Sequence, residues 1–146
     1  MVRFKHRYLV ATIAASPETA AELGPKEISA MLKASILFAA TANFGDFGAG
    51  RTTPSLQVRS FDRDSGVCII RTGRDLHRMV RASLTLLAGT KDAKLSITVE
   101  GIAGCDRTLK MAAMEAYARG YQRAGIDEDF AASLLQQQQQ LLEVLP

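Results

Sequence analysis

The chain has 146 residues, of which 47% are hydrophobic and 23% are charged, and its formal net charge is +3. These values are those of a single globular domain with its own core, since domains most often have about 100–150 residues. No apolar run approaches the roughly 20 residues that a membrane-spanning helix needs. Cys68 and Cys105 are too few for a disulfide scaffold and lack metal-ligand spacing, so we expect two reduced thiols in an intracellular protein.

The positive charge is unevenly distributed along the chain. Residues 1–110 hold 16 Lys and Arg against 10 Asp and Glu, whereas residues 111–146 hold 2 against 5. A basic body with a mildly acidic end indicates an anionic partner, and nucleic acid is the first candidate.

In the opening MVRFKHRYLV, basic residues alternate with aromatic or imidazole side chains over positions 3–8. A period of two is that of a β-strand, whose successive side chains point to opposite faces. A disordered basic arm and a secretion signal are the other interpretations, because the apolar stretch 9–15 could form a short signal core. The periodicity favours a strand over residues 3–14.

The next segments predict a helix, a loop and a hairpin. KEISAMLKASILFAATANFG, residues 26–45, carries an apolar stripe at helical spacing. FGDFGAGRTTP, residues 44–54, is rich in glycine and predicts a loop. PSLQVRSF and VCII are two short strands joined by the turn DRDSG, which together predict a hairpin.

The remaining segments predict a helix, a strand and two further helices. TGRDLHRMVRASLTLLAG has the spacing of a capping box at Thr72 and Asp75 and a natural C-terminal cap at Gly89. KLSITVEGI alternates apolar and polar residues, as a strand with one wet face does. The segment from Asp106 to Gly125 predicts a helix capped by Asp106, and DEDFAASLLQQQQQLLEVLP predicts a last helix that includes the five-glutamine tract.

The predicted order is β-α-β-β-α-β-α-α, which indicates an α+β fold. We expect a two-layer sandwich of the split β-α-β type, ferredoxin- or RNA-recognition-like, with an antiparallel sheet and extra C-terminal helices. Residues 1–124 would form an α/β sandwich RNA-binding domain, and residues 125–146 a C-terminal helical extension with the glutamine tract. The same layout serves several activities, so the fold does not choose a function.

Catalytic motifs find little support in the sequence. The two histidines, His6 and His77, have neither metal-ligand spacing nor a nucleophile motif around them. Paired carboxylates occur only in turn or capping contexts, and FGDFGAG does not match a phosphate-binding loop. We therefore predict no catalytic residue and no metal ligand on this chain.

Basic residues form the more organised pattern. Arg74, Arg78 and Arg81 have the spacing of one helix face and would form a positive ridge. Such a ridge can lie along a phosphate backbone, or it can be an ordinary solvated helix face. Further basic groups lie at Arg3, Lys5 and Arg7, at Arg59 and Arg63, and at Arg107 and Lys110. The strand VCII lacks the aromatic residues on which RNA-recognition sheets stack bases, so recognition by charge and shape fits better.

Three stretches carry a specific resemblance. They resemble the Pop-five family of ribonuclease P and ribonuclease MRP subunits, over roughly residues 1–120. The stretches are MVRFKHRYL, SGVCIIRTGRDLHRMVRASLTLL, and NFGDFG together with the strand and turn that follow it. EGIAGCDRT matches more loosely, because Cys105 and Asp106 follow Gly104 where the family has a G-T-I-R-like turn.

The resemblance implies a non-catalytic subunit that stabilises the catalytic RNA for removal of 5′ leaders from precursor tRNA and for rRNA processing. Its implied partners are the catalytic RNA, precursor tRNA as substrate of the complex, and other protein subunits, with no membrane partner. It implies no cofactor bound by the protein itself, Mg²⁺ at the RNA active site, and a location in the nucleus and nucleolus. The RNA-binding residues that we predict from the resemblance and from the basic clusters are Arg3, Lys5, His6, Arg7, Arg71, Arg74, Arg78, Arg81, Arg107 and Lys110.

Two other functions compete with RNA binding when the residues are taken without the resemblance. One is a small-molecule regulatory or acylphosphatase-like domain of the same fold, which needs an anion-binding loop with a nearby asparagine. The only asparagine, Asn43, precedes the glycine-rich segment. The other is a purely structural oligomerisation module, which would leave the basic clusters without a role.

Overall fold

The computed structural model of the protein describes residues 5–15, 24–87 and 95–144. Along these residues the elements are, in chain order, β1 (His6–Ala15), α1 (Pro25–Thr52), β2 (Gln57–Phe61), β3 (Val67–Gly73), a 3₁₀ turn (Arg74–Leu76), α2 (His77–Thr85), β4 (Leu95–Ala103), α3 (Asp106–Arg123) and α4 (Glu128–Val144).

The four strands form one antiparallel sheet in the order β2-β3-β1-β4. Strand β1 lies in the middle and pairs with β3 on one side and with β4 on the other. This is the split β-α-β arrangement, in which a strand that comes later in the chain inserts beside the first one. The predicted α+β class, antiparallel sheet and extra C-terminal helices are confirmed.

Strand β1 forms because its alternate side chains fit two apolar environments. Leu9, Ala11 and Ile13 are buried on one face, and Val10 is buried on the other. The predicted strand is confirmed over residues 6–15, whereas Arg3 and the rest of residues 1–4 lie outside the described residues.

The first core lies between the sheet and helices α1 and α2. The inward stripe of α1, with Ile28, Leu32 and Ile36, packs against Leu9 and Ile70 of the sheet. Helix α2 adds Val80 and Leu84. The sheet and these two helices form the two layers that the sequence predicts, whereas the helices on the opposite face make the fold three-layered.

The second core lies on the opposite face of the sheet, where α3 and α4 add a third layer. Tyr117 and Tyr121 of α3 and Leu142 of α4 pack against Val10 and Ile69. The extra helices therefore cover the sheet face that a two-layer sandwich leaves open. This explains why VCII, residues 67–70, is buried at every position.

The glycine-rich segment differs from its prediction, because residues 46–52 are helical. Only Gly45, with φ of 73°, leaves the helical conformation and breaks α1. The helix then resumes. Gly48 lies so close to Met79 that a Cβ atom there would be 3.2 Å from the Met79 sulfur. Thr52 also donates its hydroxyl to the Gly48 carbonyl at 2.8 Å. These contacts offset the low helix propensity of glycine.

Two predicted helix caps are wrong in detail. Strand β3 continues to Gly73, which is the N-cap of the 3₁₀ turn, and the buried Thr72 hydroxyl has no hydrogen-bond partner among the described residues. Thr72 and Asp75 therefore form no capping box, because Thr72 still belongs to the sheet. Helix α3 is capped by Cys105 rather than by Asp106, and the Cys105 N–H donates to the Thr108 hydroxyl at 3.3 Å. The predicted C-terminal cap Gly89 lies outside the described residues.

Helix α1 is long and apolar enough, over Lys26–Thr52, to cross a membrane by length and composition alone. The core helix of a globular protein can meet the same criterion. Here the stripe that contains Leu32 and Ile36 is buried in the first core, whereas Phe38 and Phe47 are exposed on other faces of the helix. The predicted lack of a membrane partner stays a prediction.

We expect Gly120→Ala to destabilise the protein by about 1–3 kcal/mol, as forced overpacking does in a core. A Cβ atom at Gly120 of α3 would be 2.5 Å from the Ser65 carbonyl oxygen and 2.6 Å from the Ser65 Cβ. The measurement is urea unfolding followed by circular dichroism.

Gly50→Ala is the matched control, because Gly50 is also helical and a Cβ atom there would meet nothing within 4 Å. We expect this substitution to stabilise the protein by up to about 1 kcal/mol through helix propensity. A Gly120→Ala variant as stable as the wild type would contradict the close packing of α3 on the hairpin turn.

We expect Leu142→Ala to cost at least about 2 kcal/mol, because Leu142 is 6% exposed within the second core. Its neighbour Leu141 is 54% exposed, so Leu141→Ala should change the free energy of unfolding by less than about 0.5 kcal/mol. Equal effects of the two substitutions would show that α4 does not dock on the sandwich as a part of it.

Candidate nucleic-acid interface

Strand pairing brings the predicted basic residues from separate parts of the chain to one end of the sheet. His6 lies opposite Gly73, Arg7 opposite Thr72, and Tyr8 lies between Arg71 and Ala103. The Arg74 N–H donates to the Lys5 carbonyl at 2.9 Å, which joins the start of β1 to the start of the 3₁₀ turn. We call this region, with Lys5, His6, Arg7, Arg59, Arg71, Arg74, Arg107 and Lys110, the basic end.

The side chains of the basic end differ in how far they reach into solvent. Lys5, Arg74 and Arg107 are exposed, and so are Arg78 and Arg81 farther along α2. The half-buried ones are His6, Arg7, Arg59, Arg71 and Lys110. The prediction for Arg3 falls outside the described residues. The structure therefore brings together the other predicted positions as an exposed set and a half-buried set.

Helix α2 extends the basic surface along one of its faces. Arg78 and Arg81 are exposed, whereas Val80 and Leu84 are buried in the first core. With a rise of 1.5 Å per residue, the ridge from Arg74 to Arg81 is about 10 Å long. This length can follow one or two successive phosphates of a nucleic-acid strand, which are separated by several ångströms.

The N-terminal end of α3 contributes further basic residues to the basic end. The guanidinium group of Arg7 packs over Gly104, where a Cβ atom would lie 3.2 Å from an Arg7 terminal nitrogen. A Cβ atom at position 104 would require the Arg7 side chain to shift by a few tenths of an ångström, so this glycine lets the Arg7 guanidinium lie against the β4–α3 turn. Arg107 and Lys110 follow on the first two turns of α3, with Asp106 as the acidic neighbour.

The hairpin pair Arg59 and Arg63 is split by the structure. Arg59 faces a small cavity with Tyr8, Asp106 and Lys110, and therefore belongs to the basic end. Arg63 lies in the turn at the opposite end of the sheet, beside Ala14 and Arg123. Arg59 is not among the predicted RNA-binding residues, because its position beside Tyr8 and Lys110 depends on the strand order and on the docking of α3.

Two arginines outside the basic end share one carboxylate, which offsets part of their charge. The Glu100 carboxylate of β4 accepts hydrogen bonds from Arg119 at 2.9 Å, from Arg123 at 3.2 Å and from the Thr12 hydroxyl at 2.6 Å. The Glu100 side chain is only 16% exposed. These ion pairs hold α3 against the sheet and leave less free positive charge on this surface than at the basic end.

His6 has the most perturbed electrostatic environment of the basic end. Burial lowers its pKa below the ordinary value of 6.5, and the positive charges of Arg71 and Arg59 lower it further. Loss of water around an ionisable group and nearby like charge both disfavour its charged form. The imidazole is therefore predominantly neutral at pH 7 in the free protein.

Both cysteines are free thiols. Burial raises the pKa of Cys68 to about 12, so this thiol is an inert part of the first core. Cys105 is exposed, and hydrogen bonds with Thr108 lower its pKa. Within residues 5–15, 24–87 and 95–144, no group of three His, Cys, Asp or Glu side chains could hold a metal ion.

Comparison with known proteins gives concordant matches. The model of the Rpp14/Pop5 family matches residues 7–114. The "Probable ribonuclease P/MRP protein subunit POP5" of Arabidopsis thaliana is 30% identical over 122 residues, which cover 79% of this chain and 78% of the relative. The "Ribonuclease P/MRP protein subunit POP5" of Schizosaccharomyces pombe is 30% identical over 126 residues, covering 79% and 87%.

A solved structure supports the same fold. A chain in the cryo-EM structure of yeast ribonuclease MRP aligns with a TM-score of 0.56 and 13% identity, over 73% of this chain and 79% of that one. The family model spans most of the sandwich, including strand β1 and the start of α3, and two named relatives align over more than three quarters of the chain. The chain belongs to the Rpp14/Pop5 family.

Proposed function

We propose that this protein is a non-catalytic subunit of ribonuclease P, and also of ribonuclease MRP, that binds and stabilises the catalytic RNA. The observation that carries this proposal is the convergence of Lys5, Arg71, Arg74 and Arg107 at one end of the sheet, in a chain of the Rpp14/Pop5 family. Arginine and lysine side chains bind RNA phosphates through charge and hydrogen bonds, without reading the base sequence.

In this proposal the chemistry belongs to the RNA. The complex removes 5′ leaders from precursor tRNA and processes precursor rRNA, and the RNA holds the Mg²⁺ ions. The protein neutralises phosphates that repel each other when the RNA folds compactly. A location in the nucleus and nucleolus follows from these substrates.

Other protein subunits of the complex are the second class of proposed partner. Apolar side chains that the fold leaves in solvent suit such contacts. Phe38 on α1 is 76% exposed, and Phe130 and Val144 on α4 are 59% and 79% exposed. We expect these helices, rather than the basic residues, to contact protein.

The structure does not favour the acylphosphatase-like alternative. That function requires an open anion-binding loop, and the glycine-rich segment that could have provided it is helical over residues 46–52. The Asn43 side chain donates to the Ala39 carbonyl at 2.8 Å within α1. It is therefore not aimed at a ligand.

The direct experiment is to sequence the RNA that co-purifies with the tagged protein. We expect one or two dominant structured RNAs, the RNA components of ribonuclease P and ribonuclease MRP, together with basic protein subunits. Recovery of the protein without any enriched RNA would contradict the proposed function.

We expect the double substitution Arg74→Ala and Arg78→Ala to weaken binding of the ribonuclease P RNA. The slope of log affinity against log salt should fall by about one unit for each phosphate contact that is lost. Both side chains are exposed and make no ion pair with the described residues, so stability should change by less than about 0.5 kcal/mol. Fluorescence anisotropy over a series of salt concentrations measures the slope.

The matched control is Lys26→Ala and Lys33→Ala on the first half of α1, which removes the same net charge from a surface outside the basic end. We expect the salt slope of this variant to stay near that of the wild type. If both double variants lost affinity and slope equally, binding would depend on net charge alone and the basic end would not be the interface.

A further inference from the structure

His6 and Arg71 are diagonal neighbours on one face of the sheet. Arg71 pairs with Tyr8, and His6, two residues before Tyr8, lies on the same face. Both side chains are half-buried at the basic end. An imidazole and a guanidinium group thus lie near each other on two adjacent strands, close enough for the Arg71 charge to act on His6.

Each of these side chains has a buried polar atom that lacks a partner. His6 Nδ1 and Arg71 Nε are shielded from solvent and make no hydrogen bond within the described part of the chain. A buried polar group without a partner is destabilising, so native structures usually satisfy such groups. The Arg71 Nε–H group therefore needs a hydrogen-bond acceptor. His6 Nδ1 needs a donor when it carries no proton and an acceptor when it is protonated.

The charged groups around His6 are mainly positive. Arg71 on β3 and Arg59 on β2 both disfavour the imidazolium form. From α3, Asp106 and Lys110 line the adjacent cavity with Tyr8 and Arg59, and they contribute one charge of each sign. From α4 the contact is Leu142, which is uncharged. An anion placed here would offset the repulsion that keeps His6 neutral.

We propose that His6 and Arg71 together bind one RNA phosphate and that the His6 imidazole takes up a proton from solvent when the phosphate binds. This inference rests on the proposed RNA-binding function and assigns a proton-linked phosphate site within it. The phosphate oxygens accept hydrogen bonds from the guanidinium group and from the imidazolium. Both nitrogens are shielded from solvent in the free protein, and no hydrogen bond within the described residues holds either side chain. The two side chains therefore turn toward the phosphate on binding, which then satisfies these nitrogens and supplies the missing negative charge.

The proton uptake fixes the sign of the pH dependence. The bound phosphate raises the pKa of His6 in the complex above its value in the free protein. Affinity is therefore lowest above the pKa of the complex, rises as the pH falls toward the lowered pKa of the free protein, and is constant below it. Each unit of difference between the two pKa values corresponds to a tenfold change in affinity.

The test measures the dissociation constant for ribonuclease P RNA at pH 7.5 and at pH 5.5, at constant ionic strength. The chain has only two histidines, so His77→Gln is the matched control for His6→Gln. We expect the wild type and His77→Gln to bind about 3–10-fold more tightly at pH 5.5. His6→Gln should bind equally at both pH values.

The phosphate site would be overturned if the wild type bound equally at both pH values, or if the tightening at pH 5.5 persisted in His6→Gln. In either case, RNA binding at pH 7.5 would still uphold the proposed function. Absence of binding at either pH would overturn both. An NMR titration of the two imidazoles in the wild-type protein avoids any dependence on how well the variants fold. RNA should raise the pKa of His6, and an unchanged or lowered value would contradict the inference.

Discussion

The pairing of β1 with both β3 and β4 is the constraint on which the rest of the structure depends. It buries Leu9 and Ala11 in one core and Val10 in the other, so that both helical layers are built on this strand. The same pairing aligns the start of β1 with the end of β3 and with the turn after β4. One set of main-chain hydrogen bonds thus places β1 between the two cores and fixes the position of the basic end.

Charge is distributed unequally between the two ends of the molecule. Toward the C-terminal end of α3, Arg119 and Arg123 are bound by Glu100, and the ion pairs serve to hold the helix on the sheet. At the basic end Arg71, Arg74 and Arg107 form no such pairs within the described residues. An RNA phosphate backbone is attracted most strongly where positive charge is not already neutralised. The fold therefore concentrates its usable charge at the site where three chain segments meet.

The element order, the strand over residues 6–15 and the apolar stripes of the helices could be predicted from local periodicity. The position of Arg59 beside Tyr8 and Lys110 could not, because it depends on the strand order and on the docking of α3. The helical turn after Gly45 was missed because its stability comes from contacts such as that between Gly48 and Met79, which are distant in sequence. Local patterns also did not indicate that α3 and α4 would cover the second face.

The central claim is that the basic end contacts RNA, and the most direct measurement is photo-crosslinking in the reconstituted ribonucleoprotein with mass-spectrometric identification of the linked peptides. We expect crosslinks in peptides that contain Lys5–Arg7, Arg71–Arg81 and Arg107–Lys110. Crosslinks concentrated instead in the hairpin turn around Arg63 and at the C-terminal end of α3 would contradict the claim, because those residues lie at the opposite end of the sheet.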